Sequence, residues 1–448
     1  MAPNFTEILC RFKANVAKVL SAETINRICI ALGHSWRERV LSPAVTLHVF
    51  LLQILHGNIA CSAMARLAGL SFSAQAYCQA RLNLPLAVFA FLLQRVCDAL
   101  VPKIEETGRW RGHRTWTLDG SSFSMPDTPE LQEYFGQPSA QAKGCGFPVA
   151  HMLALFHAGT GLLLNVLASP LNTSDMRHIA RMHLDMREGD ILLADRGFAS
   201  FAHLALLFMR NMHAVFRCHQ KQIVSFRVDR KHTKGSKPKK GLPRSRYVRR
   251  LGRWDQVVEY TKPKEIPAWM DKETYQGLPD RILVRELRYL TRQRGFRTKV
   301  ITLVTTLLDP AAYPADELAK LYLSRWQIEV NFRHLKTTMG MEEMHCQTVA
   351  GVTKELYMFA IAYNLVRLVM LEASARQGVP LDRISFVDAL RWLRDSKPGS
   401  DLGPLLVNPL RLNRLEPRAV KRRPKEYDRL NKPRQELRKA LARKKKDA

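Results

Sequence analysis

Apolar residues recur at helical spacing through the first 105 positions, with breaks at Gly33, Ser42-Pro43, Gly57 and Leu84-Pro85. A period near 3.6 punctuated by Gly and Pro predicts an all-helical N-terminal domain over residues 1–105. Inside it, Ser62 to Pro85 sets Gly69 and other small residues between two short helical stretches, the second carrying Tyr77 and Arg81. That is the pattern of a helix-turn-helix, whose second helix enters a major groove, and equally of any helical hairpin. Val40 to Ala65 contains no Asp, Glu, Lys or Arg, but Pro43, His48, Gln53, His56, Gly57 and Asn58 interrupt it. The apolar run falls short of the ~20 residues of a membrane span, so it is expected to be a buried helix.

From Arg114 the period changes to that of strands. Short apolar runs end in Asp at WTLD (Asp119) and ILLAD (Asp195), and Val149 to Ala168 reads as a hairpin turning at Gly159-Thr160-Gly161. Helices are expected over Met176–Met186 and Phe201–Asn211, and a strand over His213–Cys218. The alternation predicts a mixed α/β sheet with acids at strand ends, where such sheets carry their sites. Gln220 to Gly277 is loop-like and basic, and strands rich in Val, Ile, Thr and Tyr return between Arg281 and Leu308. Two helices follow, one from Ala315 to Gly340 and one from Thr353 to Gly378, and then a Pro-punctuated basic tail. The divisions expected are 1–105, a first core segment 106–219, a basic β-rich insertion 220–300, a second core segment 301–378 carrying the Glu-bearing helix, and a basic segment 379–448.

Charge adds what periodicity cannot. The 448 residues hold 70 Lys+Arg against 40 Asp+Glu, a formal +30, in an otherwise ordinary globular composition of 46% hydrophobic residues. This excludes a disordered basic chain. Residues 217–264 hold 16 Lys+Arg and 3 acids, and residues 411–448 hold 16 and 5, so most of the surplus sits in two patches. Patched positive charge is the electrostatic footprint of a phosphate polymer. The eight cysteines contain no CxxC pair, and the first residues, MAPNFTEILCRF, lack a signal-peptide pattern. The expectation is a reducing, cytoplasmic compartment, without membrane association and with nucleoid association when bound to DNA.

Chemistry concentrates on a few positions. Asp119 precedes Gly-Ser-Ser, Asp195 precedes Arg-Gly-Phe, and Glu329 lies within a predicted helix. Strand-end Asp next to Gly is also ordinary turn chemistry. On the helix, Tyr322, Arg325, Glu329 and Lys336 are spaced 3, 4 and 7 apart. At ~100° per residue they fall on one stripe about 60° wide, and Trp326 adjoins Arg325. Three carboxylates brought together repel unless cations hold them, and paired divalent ions suit phosphoryl transfer. Oxygen donors without a His or Cys cluster favour Mg²⁺, with Mn²⁺ as substitute, over zinc. Arg325 and Lys336 are placed to grip phosphates.

The sequence Tyr322-LS-Arg325-WQI-Glu329-VNFRHL-Lys336 resembles the Tyr-x2-Arg-x3-Glu-x6-Lys motif of the insertion-sequence-4 family of DDE transposases, and the flanking LDG at Asp119 and LADRGF at Asp195 match as well. The resemblance covers roughly Arg114 to Leu371, and the helical N-terminal domain looks like the DNA-binding domain of these enzymes. It implies a ribonuclease-H-like core in which Asp119, Asp195 and Glu329 bind two Mg²⁺. It further implies a homodimer on paired transposon ends of double-stranded DNA, which frees a 3′-OH by hydrolysis and joins it to target DNA. Tyr322, Arg325 and Lys336 then contact phosphates near the cleaved end, and Trp326 packs beside them. Members with a hairpin intermediate stack a flipped base on an aromatic of the insertion, for which Trp254 and Trp269 are the candidates by type. A catalytically inactive DNA-binding derivative, or a nuclease without strand transfer, remains open. His151, His157 and His178 show no ligand spacing, and Ser121-Ser122 lacks a nucleophile elbow. Gly144-Cys145-Gly146 and Gly159-Thr160-Gly161 read as turns, and Arg196 either contacts DNA or pairs with a local acid.

Overall fold

The computed structural model describes residues 16–106, 108–227, 241–290, 300–396, 400–410, 430 and 432–444. The centre of the basic insertion (228–240) and most of the basic tail (411–429 and 445–448) lie outside the described residues.

Nine strands form one sheet: β1 (Thr115–Ser124), β2 (Val149–His157), β3 (Leu163–Pro170), β4 (Ile191–Ala194), β5 (His213–Arg217), β6 (Arg244–Gly252), β7 (Asp255–Thr261), β8 (Arg281–Leu290) and β9 (Val300–Thr305). Their order across the sheet is β3-β2-β1-β4-β5-β9-β8-β7-β6. β1, β4 and β5 run parallel at the centre, and all other neighbouring pairs are antiparallel. The run ILLA of β4 is buried at all four positions, as a central parallel strand covered on both faces must be. β1 is buried through Leu118 and emerges from the core at Asp119. The strands of the basic insertion do not form a separate sheet. β9 pairs with β5, and β8, β7 and β6 extend the same sheet outward. The free edge, β6, carries Arg244, Arg246, Arg249 and Arg250 and two register shifts, which protect an exposed edge from pairing with another chain.

The N-terminal region is helical as expected: α1 (Ala22–Ala31), α2 (Pro43–Leu55), α3 (Ala74–Asn83) and α4 (Leu86–Glu106). Ser42 caps α2, with Pro43 in its first turn, and nearly all of α2 is buried. The helix-turn-helix reading of Ser62–Pro85 needs correction at the residues that motivated it. Tyr77 is fully buried and donates from its hydroxyl to Gln53 Oε1 at 2.9 Å. Arg81 lies over the Phe50 ring at 3.7 Å and donates to Gln53 and Cys346. Both side chains build the junction of this region with the core, and neither is free to enter a groove.

Met176–Met186 is a chain of short turns, 3-10 over Asp175–His178, α over Ile179–Met182 and 3-10 over His183–Asp185, instead of one helix. α5 (Pro129–Phe135) and α6 (Phe201–Met209) flank the sheet. The stretch expected as one helix over Ala315–Gly340 is three pieces: α7 (Ala315–Ser324), α8 (Gln327–Arg333) and a π turn over His334–Thr338. α9 (Val349–Gln377) is long and apolar enough to cross a membrane, but 89% of its most apolar window is buried inside the fold. Its polar groups are pinned to neighbours: Asn364 both accepts from and donates to the Leu163 backbone at 2.8 Å, and Tyr363 donates to Gly161 O at 2.8 Å. α10 (Phe386–Asp395) packs against it, and a basic helix, α11 (Arg434–Lys444), closes the described chain.

Candidate active site

The parallel pairing of β1 and β4 ends with Leu118 opposite Ala194, so Asp119 and Asp195 follow side by side. Asp119 is not at a strand end as expected: β1 runs on to Ser124, with Asp119 opposite Ala154 of β2, and only Asp195 lies beyond its strand. Parallel neighbours lie ~4.8 Å apart, which brings two acids separated by 76 positions side by side. Gly120 leaves room for what lies over it: a Cβ there would sit 2.5 Å from Asp175 Oδ2 and push that carboxylate off the strand.

α7 and α8 cross this edge. Tyr322 hydroxyl donates to Asp195 Oδ1 at 3.4 Å, Arg325 Nη1 donates to Asp119 Oδ2 at 3.1 Å, and Lys336 Nζ reaches Ser121 Oγ at 3.4 Å. Glu329 shares a cleft of about 430 Å³ with Asp119, Gly120, Ser121, Arg333, Lys336 and Glu342. Arg325 and Lys336 of the spacing motif thus touch β1, Tyr322 touches the residue after β4, and Glu329 lines the same cleft as Asp119. Trp326 is half exposed, on the turn between α7 and α8. Arg196 is exposed and donates to Gln220 Oε1 at 2.8 Å.

The electrostatics are those of crowded acids with one buried counter-ion. Burial raises the Asp119 carboxyl above its usual range; Arg325 and the Gly120 N–H draw it down, and the charge on Asp195 raises it again. Glu329 is raised first by partial desolvation, then by Asp119 and Asp195, with Arg325 opposing. Burial pushes the Tyr322 hydroxyl up to about 12, so it stays a proton donor at neutral pH. Arg325 itself is buried, and its Nε has no hydrogen-bond partner among the described residues.

A family model described as "Transposase DDE domain" matches residues 110–365, more than half of the chain. The chain belongs to this family. It is 26% identical over 338 residues to "Transposase InsG for insertion sequence element IS4" of Escherichia coli (strain K12), covering 71% of this chain and 70% of the relative. "Putative transposase InsZ" of the same organism is 33% identical over 92 residues, 20% of this chain and 31% of that one. Among solved structures, the cryo-EM piggyBac transposase synaptic complex with hairpin DNA aligns at a TM-score of 0.45 and 10% identity, over 87% of this chain and 79% of that chain. The protein is therefore a DDE transposase of the insertion-sequence-4 type with a ribonuclease-H-like core, from a family of enzymes that bind DNA, cleave it and transfer strands.

Enzymes of this family use divalent metal ions, and the donor chemistry here fits them. Asp119, Asp195 and Glu329 offer hard oxygens, and two of the three carry the mutual repulsion that a cation relieves. Among the described residues no three His, Cys, Asp or Glu side chains already stand as a ligand set. Arg325 holds Asp119 by the ion pair, so ions would draw the carboxylates together by displacing the guanidinium.

Several neighbours of the site carried no sequence signal. Glu342 enters the cleft because a parallel bridge ties Ser124 to Glu343, and Ser124 N donates to Glu342 O at 3.0 Å. Asp175 pairs with His151 at 2.9 Å beside Gly120, and raises that imidazole's pKa. Arg217, the last residue of β5, opposes the rise of the Tyr322 hydroxyl. None of these has a motif spacing, and each arrives through pairing set by the sheet. Trp254 is exposed on the β6–β7 turn, 5.4 Å from the Arg253 guanidinium and 5.7 Å from that of Arg288. Trp269 packs against the core.

Proposed function

We propose that this transposase performs cut-and-paste transposition of an insertion sequence, with Asp119, Asp195 and Glu329 as its catalytic carboxylates. The observation that carries the reading is the β1–β4 register, which ends with Leu118 opposite Ala194 and sets Asp119 beside Asp195, both bridged to the motif helix by Arg325 and Tyr322. The three carboxylates would hold two Mg²⁺, for which Mn²⁺ can substitute, and the bound ions would supply an activated attacking oxygen and a stabilised leaving oxygen. Arg325 and Lys336 would then turn their donors to the phosphates of the cleaved end. Tyr322 would donate its retained hydroxyl proton to a phosphate oxygen, with Arg196 and the exposed face of Trp326 along the same DNA. In the first step water adds to the phosphorus at the element end and the 3′-oxygen leaves as a hydroxyl. In the second, that hydroxyl attacks the opposite strand's phosphodiester and the flanking 3′-oxygen leaves, which frees the element with a hairpin end. Water then adds to the hairpin phosphorus and returns the 3′-hydroxyl, which attacks a target phosphodiester as the target's own 3′-oxygen leaves. Exposed Trp254 between two arginines is the better placed of the two tryptophans to stack a flipped base. Residues 1–105 act as a DNA-binding domain and 220–300 as a basic insertion along DNA, and two copies pair two ends in the cytoplasm, associating with the nucleoid through DNA.

The test is to incubate the protein with Mg²⁺, a labelled element end and a plasmid. Joined product is expected. Cleavage without joining would leave a nuclease, and binding without cutting an inactive derivative. Asp119→Asn, Asp195→Asn and Glu329→Gln should each abolish cutting with end binding retained, and a variant that still cuts removes its residue from the site.

A further inference from the structure

The loop Gly144–Phe147, which the sequence presents only as a turn, receives another part of the chain. Pro433 packs on Gly144 so closely that a Cβ at that glycine, whose φ is +78°, would sit 3.0 Å from the proline ring. The next residue, Arg434, donates from its backbone to Gly144 O at 3.3 Å and from Nη1 to Cys145 O at 2.5 Å. Its guanidinium lies 4.0 Å over the centre of the Phe147 ring, a cation–π distance. Beneath it is Asp127, whose side chain is only 3% exposed. One of its oxygens accepts from Gln132 at 2.8 Å, and the other, buried and without a hydrogen bond among the described residues, faces Arg434 at 3.9 Å. A buried acid, a carbonyl and an aromatic lid make a receptor for one arginine.

What the receptor holds is the first turn of α11. Beyond Leu437 every described side chain of the helix is exposed, and Arg438, Lys439 and Arg443 make no ion pair among the described residues. At 100° per residue these cations fall within one arc of about 140°, a basic face suited to a phosphate polymer, while Leu437, Ala440 and Leu441 fall together on the other side. An isolated helix of this length is marginal in water and is held at one end only. The receptor also adjoins the cleft. Pro148 O accepts from Met125 N at 3.2 Å, and the preceding Ser124 is bonded to Glu342 in the cleft wall.

We propose that Asp127, Cys145 and Phe147 form a latch that fixes the basic C-terminal helix to the catalytic body, where Arg438, Lys439 and Arg443 bind the phosphates of double-stranded DNA running to the cleft. The proposal rests on DNA being the substrate, as above, but does not depend on which residues cut it.

The test uses the full chain and a short fluorescent duplex in EDTA, where nothing is cleaved, with binding followed from low to high salt. Asp127→Asn and the charge-neutral Phe147→Ala should each weaken binding about 10-fold at moderate salt. Each should flatten the slope of log Kobs against log salt by roughly 2 to 3 units, the yield of three cations at about 0.9 each. R438Q/K439Q/R443Q should do the same, and adding Asp127→Asn to it should change little further. The sign is diagnostic, because Asp127→Asn makes the protein more positive and general attraction alone would tighten binding. Unchanged or tighter binding in both latch variants overturns the proposal, as does a change of oligomeric state with the salt slope intact, which would make the receptor a contact between copies. If Asp127→Asn fails to fold, exposed Phe147 decides the matter alone. A wild-type protein that binds no duplex would instead remove the DNA reading itself.

Discussion

Arg325 holds Asp119 in the place where a divalent ion would have to sit, so the two cations should compete. The guanidinium is buried and its Nη1 is 3.1 Å from Asp119 Oδ2, with the Tyr322 ring 5.7 Å away. Opposite charges ~4 Å apart at an effective permittivity of ~20 attract by roughly 4 kcal/mol, from which desolvation of the pair is subtracted. Asp119 is partly open to solvent, which leaves a net coupling of about 1–2 kcal/mol. Arg325→Gln keeps the length of the stem and removes the charge. Without its competitor a divalent ion should bind about 5- to 30-fold more tightly, since 1.4 kcal/mol is a factor of ten. Cleavage at saturating metal should nevertheless fall, because a cation facing the phosphates is gone. Free Mn²⁺ measured by electron paramagnetic resonance during a titration without DNA reads the affinity directly. Equal or weaker Mn²⁺ binding by the variant would refute the competition and return Arg325 to a purely structural role at Asp119.

Two further perturbations test the frame around the site. His203, fully buried, has its Nδ1 2.9 Å from Phe198 O in the turn after Asp195 and its Nε2 2.9 Å from His183 Nε2; burial lowers its pKa from 6.5 to about 4. As pH falls the unfolded chain therefore takes up the proton first, so this contribution is complete above pH ~6.5 and fades towards pH ~4, about 2 kcal/mol of it being gone at pH 5. Urea midpoints at pH 7.5 and 5.0 should show a loss at least that large, since burial also lowers His183, His157 and His334, and His203→Gln should shrink the difference by about 2 kcal/mol; an identical pH dependence in the variant counts against it. Arg285 is wholly buried and makes a two-point contact with Asp255 on β7 at 2.8 and 2.5 Å while donating to Tyr313 O at 2.7 Å ahead of α7. Arg285→Met should lower unfolding stability by roughly 3–5 kcal/mol, and adding Asp255→Asn should recover part of it; a double variant no more stable than the single one would mean that the Tyr313 contact is the important one.

Sequence pattern was enough for features that are local. The run ILLA followed by Asp is short, apolar and punctuated, and it became a four-residue buried strand with Asp195 at its exit. Val149–Ala168 became the β2–β3 hairpin for the same reason. Features that depend on which strand lies next to which were not legible. Nothing in the residues says that Leu118 pairs with Ala194, or that β1 continues past Asp119 to Ser124, yet that register is what makes the two aspartates neighbours. Nor does alternation in Arg281–Leu308 say that its strands will continue the central sheet beyond β5. Tyr77 and Arg81 misled because polarity on a helix suggests exposure, whereas Gln53, the Phe50 ring and Cys346 solvate them inside.

The motif helix shows how residues spaced for one stripe reach two different strands. A uniform 100° step puts Tyr322, Arg325, Glu329 and Lys336 on one stripe, but the chain tightens at Arg325 and Trp326, whose N–H groups bond to Tyr322 O and Leu323 O, three residues back. It then loosens into the π turn over His334–Thr338. The tight turn advances the helix by about 120° per residue and the wide turn falls behind 100°, so the two deviations oppose each other. The stripe survives from end to end while its members fan out, Tyr322 to Asp195, Arg325 to Asp119 and Lys336 to Ser121. A straight helix would stack these donors above one another along its own axis. The broken one lays them across β1 and the residue that follows β4. No Gly or Pro marks the break, and Trp326, turned outward at the tight step, is its clearest outward sign.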